Sequence, residues 1–225
     1  MNLKILNELD RILKNNPSLF TDKESMCQVI NGVFNIELSS IDTTDVIALA
    51  DNIDDAVLGQ YFSKVWYPET KKFKYSGLSI IDEVNAMKPH AVIDIGCGYN
   101  EFKGKIDNLI GIDPYNEKAD IKASALEYKT DTKYDVAICL GSINFGSTDK
   151  IISEMTSVAN LVSNGGSMYF RVNPGKQHTA LESRWINFYD WDPVFISNIA
   201  DHLDCRLVTL RQDNNDRFYF VLKKN

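Results

Sequence analysis

Three features of this chain predict an α/β fold with a mostly parallel sheet. A short apolar run, Val92 to Ile95, is rich in β-branched residues and is followed at once by two glycines, which is typical of a buried parallel strand and its turn. Asp149 to Val172 has the pattern of a helix, a glycine turn and a strand. Cys205 to Lys223 contains two strand-like segments around a polar turn, which predicts an antiparallel hairpin.

The amino-terminal third is predicted to be helical. Asn2 to Lys14 repeats leucine and isoleucine near helical spacing, as an amphipathic helix does. A second helix is expected to begin near Thr21 or Asp22, where a short polar side chain caps free amides. We therefore predict a helical amino-terminal appendage or lid over residues 1–75 and a larger domain over residues 76–225.

Composition narrows the class of protein. Hydrophobic residues make up 44% of the 225, and the absence of a run of ~18 apolar residues argues against a membrane span. The formal net charge of −7 disfavours non-specific binding of nucleic acid. The four cysteines show no metal-ligand spacing, so no metal is expected. We interpret Cys97 and Cys139 as reduced thiols in a cytoplasmic protein.

The stretch after residue 91 carries the chemistry. Gly96 and Gly98 allow a sharp turn and a close approach of a ligand to the backbone. A second predicted strand ends in Asp113, and a carboxylate at that position can accept both hydroxyls of a ribose. A nicotinamide site prefers a third glycine where this chain has Glu101, and the carboxylate of Asp94 would repel a pyrophosphate but suits a cationic ligand.

This stretch resembles motif I and the following acidic motif of the S-adenosylmethionine-dependent methyltransferases of class I. The resemblance covers about residues 77–224. It implies a Rossmann-like, seven-stranded, mostly parallel sheet with a C-terminal antiparallel hairpin, in addition to the helical appendage. It also implies S-adenosylmethionine as the cofactor and S-adenosylhomocysteine as the product.

The resemblance assigns cofactor-binding positions to the glycine turn, the ends of the next strands and their loops. These positions are Asp94, Gly96, Cys97, Gly98, Tyr99, Asp113, Pro114, Ser124, Ala125, Leu126, Leu140, Gly141 and Ser142. The adenine loop is expected to follow a third short strand in Ala119 to Tyr128. Its usual acid is missing and Glu127 comes one or two positions late, so we expect backbone contacts and an apolar floor at Leu126.

Catalytic and substrate residues are less well defined. Asn144, in the loop that carries methyl-transfer determinants in the family, and His178, whose ordinary pKa suits a general base, are the catalytic candidates; His178 is alternatively an exposed loop residue. Trp185 and Tyr189 are four apart and would share one face of a helix. The substrate-facing candidates are Tyr67, Tyr75, Arg184, Trp185 and Tyr189.

Several functions stay open at this stage. The favoured one is methyl transfer from S-adenosylmethionine to oxygen or nitrogen of a small molecule or metabolite. The loop after the fourth strand lacks the [DNS]PP[YFW] signature of DNA amino-methyltransferases, so a small-molecule acceptor is favoured over nucleic acid. The alternatives are an RNA or other nucleic-acid methyltransferase and a non-catalytic scaffold of the same fold. The segment Gln60 to Tyr75, dense in aromatics and lysines, is either a lid or a hinge. The oligomeric state is open.

Overall fold

The computed structural model describes residues 1–67, 77–213 and 215–225. By its internal contacts the chain forms two compact units. Unit 1 comprises Met1–Trp66 and Gln177–Asn187, and unit 2 comprises Tyr67–Lys176 and Phe188–Asn225. In the described residues, no helix has both the length and the apolar character needed to cross a membrane.

Unit 1 is built on three helices, each capped by a polar side chain. The helices are α1 (Leu3–Asn15), α2 (Lys23–Phe34) and α3 (Val46–Gln60), and a π-helical turn, Tyr61–Val65, continues α3. The side chains of Asn2, Asp22 and Asp45 accept backbone N–H groups of the first turns, which satisfies donors that the helix leaves free. The predicted first helix and the capping by Asp22 are confirmed.

The segment 177–187 belongs to unit 1 although the sequence suggested that it is part of the larger domain. The buried Asn2 donates from Nδ2 to the carbonyl of Trp185 at 2.7 Å. Lys4 Nζ donates to the carbonyl of Ile186 at 3.0 Å. Within the segment, the buried Ser183 hydroxyl donates to the carbonyl of His178 at 3.0 Å. The bonds from Asn2 and Lys4 tie the segment to the start of α1.

Unit 2 contains a mixed sheet with the order β2-β1-β3-β4-β6-β5. Its strands are β1 (Val92–Ile95), β2 (Leu109–Ile112), β3 (Tyr134–Leu140), β4 (Val162–Val172), β5 (Cys205–Gln212) and β6 (Phe218–Lys224). The first four are parallel, and β6 lies antiparallel between β4 and β5. The predicted α/β fold and the closing hairpin are therefore confirmed.

The sheet has six strands among the described residues, whereas the sequence predicted seven. The strand expected in Ala119 to Tyr128 does not form, since Ile121 makes only an isolated bridge to Ile112. The predicted turn at Gly165 and Gly166 is a bulge inside β4, where the pairing with β3 shifts between Tyr134 and Val136. Gly165 has a φ of +76° there, which a glycine adopts without a steric penalty.

Helices cover both faces of this sheet. They are α4 (Ile81–Ala86), α5 (Thr148–Leu161) and α6 (Pro193–His202). One face packs Ile93 with residues of α5 and α6, and the other packs Val92 with Val84 of α4. A sheet that is apolar on both faces is expected for parallel strands, and it leaves the strand ends as the accessible polar edge.

Replacing Trp191 with alanine is expected to lower the free energy of unfolding by about 3–5 kcal/mol, the usual cost of removing a buried aromatic side chain. Trp191 is 1% exposed, contacts Phe195 and Phe220, and donates from Nε1 to the carbonyl of Ile143 at 3.0 Å. Urea unfolding followed by circular dichroism measures the change. Val194→Ala, at a site 69% exposed, is the control; a similar loss there would contradict the assignment.

Candidate functional site

The carboxyl ends of β1, β2 and β3 bring the predicted cofactor residues to one edge of the sheet. β1 lies between β2 and β3, so the chain leaves β1 toward one neighbour and later returns to the other. Such a switch point opens a crevice beyond the strand ends, where α/β folds bind ligands. The glycine turn follows β1, Asp113 follows β2, and Gly141 follows β3.

Gly96 is where the first and third of these strand ends meet. Its φ is +69°, and a Cβ added to it would come within 3.0 Å of the Cβ of Ser142. Its N–H and that of Cys97 both donate to the carbonyl of Ile112, at 2.8 and 3.0 Å. The turn is thus fixed from two sides, by β2 through hydrogen bonds and by the loop after β3 through contact.

Asp113 holds the glycine turn and its own loop with one carboxylate. Its Oδ2 accepts the N–H of Gly98 at 2.9 Å. Its Oδ1 accepts the N–H groups of Tyr115 and Asn116, both at 2.8 Å. Asp113 is 8% exposed. Because two carboxylate oxygens accept about four hydrogen bonds, this residue retains limited capacity for a ligand hydroxyl.

Asp94 has the opposite surroundings. It is 3% exposed, and no described residue donates a hydrogen bond to its carboxylate. Burial, and secondarily the charge of Asp113, raises the pKa of Asp94 to about 8. A buried acid without a partner is costly unless it is neutral or meets a cation, so the site is chemically suited to a positively charged ligand group.

The two cysteines near these acids are not thiolates. Burial, with the charge of Asp94 as the next cause, raises the pKa of both Cys97 and Cys139. All four cysteines are free of disulfides. Since the thiolate is the nucleophilic form of cysteine, neither side chain is suited to covalent catalysis.

Tyr99 and Pro114 extend the edge outward. The ring of Tyr99 stacks on that of Tyr67, with centroids 5.4 Å apart and an interplanar angle of 23°. Lys118 Nζ lies 5.4 Å from the centroid of Tyr99. The structure thus brings one substrate-facing candidate, Tyr67, against one cofactor candidate. Pro114 is partly buried at the end of the Asp113 loop. Tyr75 lies outside the described residues.

The expected adenine loop is organised by a capping box. Ser124 donates from both its N–H and its hydroxyl to Glu127 Oε2, at 2.9 and 2.7 Å. These bonds hold the pKa of Glu127 below its ordinary value, so this acid serves the loop itself. Ala125 is buried, and Leu126 is 38% exposed; the apolar floor at Leu126 stays a prediction.

The loop after β3 is fixed by Asn144. Its Nδ2 donates to the carbonyl of Gly141 at 2.9 Å, and its Oδ1 accepts the N–H of Asn173 at 2.7 Å. With both ends of its amide occupied and 2% exposure, Asn144 positions the loop. Leu140 is the last residue of β3. Ser142 Oγ is buried without a hydrogen-bond partner in the described residues, which leaves a hydroxyl available beside Gly96.

The remaining substrate candidates are divided between the units. His178, Arg184 and Trp185 lie in unit 1, and Tyr189 lies in unit 2. The prediction that Trp185 and Tyr189 share one face of a helix is wrong, because the 3₁₀ turn Leu181–Trp185 ends before Tyr189. Tyr189 instead contacts Trp191, with ring centroids 5.5 Å apart.

Within unit 1, His178 has a partner that sequence reasoning missed. The hydroxyl of Tyr61 and Nδ1 of His178 are 2.9 Å apart, although 117 positions separate them. Arg184 donates to the carbonyl of Val33 at 2.9 Å. Trp185 Nε1 is buried with no partner among the described residues. No local signal pointed to Tyr61 beyond the aromatic density of its segment.

Comparison with known proteins gives the fold. No family model matches the chain, and no curated protein matches its sequence. A solved structure of 1,6-didemethyltoxoflavin N1-methyltransferase from Burkholderia thailandensis, with 1,6-didemethyltoxoflavin and S-adenosylhomocysteine bound, aligns at a TM-score of 0.59 and 12% identity. The alignment covers 80% of this chain and 90% of that one. The fold is that of the class I methyltransferases.

Two further solved structures share parts of it. The CcbJ methyltransferase of Streptomyces caelestis aligns over 64% of this chain and 94% of its own, at a TM-score of 0.51 and 12% identity. An O-methyltransferase family protein of Burkholderia thailandensis is 10% identical, with 65% of this chain aligned at a TM-score of 0.48. The present chain spans 57% of that protein's length, and this weaker likeness adds nothing to the assignment. No described group of histidine, cysteine and acidic residues is arranged to hold a metal ion.

Gly96→Ala is expected to destabilise the protein well beyond Gly104→Ala. Both glycines have similar positive φ values, +69° and +73°, but a Cβ at 104 would meet open space. The strained backbone costs about 1–2 kcal/mol at either site, and overpacking against Ser142 adds about 1–3 kcal/mol at 96 alone. Urea unfolding compares the two variants. Equal losses would contradict the close approach, and Ser142→Gly should partly rescue Gly96→Ala.

Asp94→Asn is expected to flatten the pH dependence of stability. The pKa of Asp94 is raised to about 8 and that of Glu154, partly buried on α5, to about 7, whereas both acids titrate near 4 in an unfolded chain. Between these values the folded state binds more protons, so the free energy of unfolding falls as pH rises. The slope is at most about 1.4 kcal/mol per pH unit for each carboxyl.

Urea unfolding at intervals from pH 5 to pH 8 measures this slope for the wild type, Asp94→Asn and Glu154→Gln. Each substitution by a neutral amide should remove the part of the slope that the replaced carboxyl contributes. Above about pH 8 the wild-type contribution becomes constant, since both acids are then ionised in both states. A slope unchanged by Asp94→Asn would show that this carboxyl is already ionised in the folded protein at lower pH.

Proposed function

We propose that this chain is an S-adenosylmethionine-dependent methyltransferase that acts on oxygen or nitrogen of a small molecule. One observation carries the proposal: a buried acid that accepts no hydrogen bond from the described residues, Asp94, lies beside a glycine turn at the switch point of a fold shared with methyltransferases. The solved structure with the TM-score of 0.59 contains S-adenosylhomocysteine, the product that such a cofactor leaves.

The residues at this edge fit the cofactor. Asp94 suits a cationic group, because it has no donor from the described residues and is costly to ionise alone. Asp113 can accept a ribose hydroxyl with the capacity left beside its three amide donors. Ser142 Oγ offers an unused polar atom, and Leu126 offers exposed apolar area for adenine.

When bound, S-adenosylmethionine supplies a methyl group that is already activated on a sulfonium. The contribution of the protein is then alignment of the acceptor and exclusion of water. Asn144 supports alignment by fixing the loop after β3 to the end of β4.

A small acceptor is favoured for two reasons. The net charge of −7 disfavours a polyanionic substrate. The structural neighbour with 1,6-didemethyltoxoflavin bound acts on a small molecule. We further propose that unit 1, which comprises Met1–Trp66 and Gln177–Asn187, is the helical appendage that the sequence predicts over residues 1–75. A cytoplasmic location suits the free cysteines.

Calorimetric titration of the full chain with S-adenosylmethionine, S-adenosylhomocysteine and NAD tests the proposal. We expect micromolar binding of the first two and none of NAD. Asp113→Asn should weaken binding at least about tenfold, since a lost charge-assisted hydrogen bond contributes about 1.5–3 kcal/mol. Asp107→Asn is the matched control, because Asp107 is exposed and precedes β2 at the opposite edge.

The fold of each variant is checked by circular dichroism and thermal unfolding. If neither S-adenosylmethionine nor S-adenosylhomocysteine binds, the proposal is overturned. Binding without methyl transfer to any member of a panel of hydroxyl- and amine-containing small molecules would instead favour a non-catalytic scaffold.

A further inference from the structure

Asp94 and Asp113, at adjacent strand ends, differ in the hydrogen-bond donors that surround their carboxylates. Asp113 has three backbone N–H donors within 2.9 Å. Asp94 is 3% exposed and has no donor from the described residues. The charge of Asp113 nevertheless acts on Asp94. Both groups therefore belong to one electrostatic pair, in which Asp113 has backbone donors for its carboxylate and Asp94 has none from the described residues.

A single negative charge on such a pair is favoured over two. Like charges in a buried site raise the proton affinity of the less solvated member. Burial is the larger cause and the charge of Asp113 the smaller in raising the pKa of Asp94 to about 8. Hydrogen-bond donors favour the ionised form of a buried carboxyl, and Asp94 has none from the described residues, so burial favours its protonated form.

The other ionisable groups that interact with Asp94 do not change this balance. They are the thiols of Cys97, in the glycine turn, and Cys139, in β3, whose pKa values burial and the charge of Asp94 both raise. Both thiols are therefore neutral near pH 7. Among the ion pairs of the described residues, none involves Asp94. No cation from the described residues pairs with this acid, and a cationic ligand can supply that charge.

Building on the cofactor assignment made above, we propose that Asp94 is protonated in the free protein and releases its proton to solvent when the cationic cofactor binds. The site then selects its ligand by positive charge, because only a cation makes the ionised form of Asp94 favourable in this buried position. Proton release and cofactor binding are two parts of one equilibrium.

Three ligands distinguish which charge is involved. S-adenosylmethionine carries a sulfonium and an ammonium group, S-adenosylhomocysteine carries only the ammonium, and adenosine carries neither. Proton release with the first two assigns the ammonium to Asp94, and release with the first alone assigns the sulfonium. Either result supports the proposal. Equal release with adenosine would overturn it, since no cation is then present.

The experiment is calorimetry of the full chain at pH 7 in buffers of low and high ionisation enthalpy, such as phosphate and Tris. The difference in binding enthalpy counts the protons released. With Asp94 at a pKa of about 8, we expect close to one proton per S-adenosylmethionine. The affinity should be roughly 50-fold higher at pH 8 than at pH 6, in proportion to the ionised fraction of Asp94.

Two variants locate the proton. Asp94→Asn keeps the shape of the side chain but has no proton to lose, so it should bind more weakly, release none and show no pH dependence. Glu154→Gln is the matched control, because Glu154 is a partly buried carboxyl in unit 2 whose pKa is also raised, to about 7. It should keep the proton release and the pH dependence of the wild type.

The outcomes separate the two proposals. Binding of S-adenosylmethionine without proton release, at an affinity constant from pH 6 to pH 8, would overturn the role of Asp94 and leave the cofactor assignment standing. Proton release that Glu154→Gln abolishes would likewise overturn it. No binding at any pH would overturn the cofactor assignment itself. The proton count of the wild type needs no variant, so it decides the question even if Asp94→Asn does not fold.

Discussion

The candidate site depends on the hydrogen bonds that the carboxylate of Asp113 accepts. It accepts backbone N–H groups from the glycine turn after β1 and from the loop after β2, so one side chain determines the shape of both. Each of these three N–H groups, if left without an acceptor, would cost the folded protein roughly 1–3 kcal/mol of stability. The residue that resembles a ribose ligand is thus first a structural cross-link, and any ligand has to share its oxygens.

Much of unit 2 could be predicted because its signals are local. The buried run ending at Ile95 and the closing hairpin each follow from a few neighbouring residues, and the structure has both of them. Gly165 shows the limit of such signals. A glycine pair indicates a turn, yet here β4 continues past it as a bulge, with pairing to β3 at Val162 and again from Ser167 and extra residues between them.

For the candidate site, the sequence indicated where the two acids lie along the strands, but not how their carboxylates are hydrogen-bonded. A motif placed Asp94 and Asp113 at strand ends, but it does not reveal that one has three donors and the other none. Glu127 was a possible displaced adenine acid, and the structure uses it to cap its own loop. The pairing of Tyr61 with His178 is non-local, so no periodicity or spacing in the chain could indicate it.

The discontinuity of unit 1 has a consequence for synthesis on the ribosome. Its helices are complete by residue 66, but Asn2 donates to the carbonyl of Trp185, and the buried Ser183 and Ile186 belong to the same unit. Domains generally fold as they emerge, whereas this one lacks its last segment until most of unit 2 has been translated. The helices of unit 1 therefore lack the segment Gln177–Asn187 when they are first synthesised. Unit 1 is completed only after the sheet strands between its two parts have been translated.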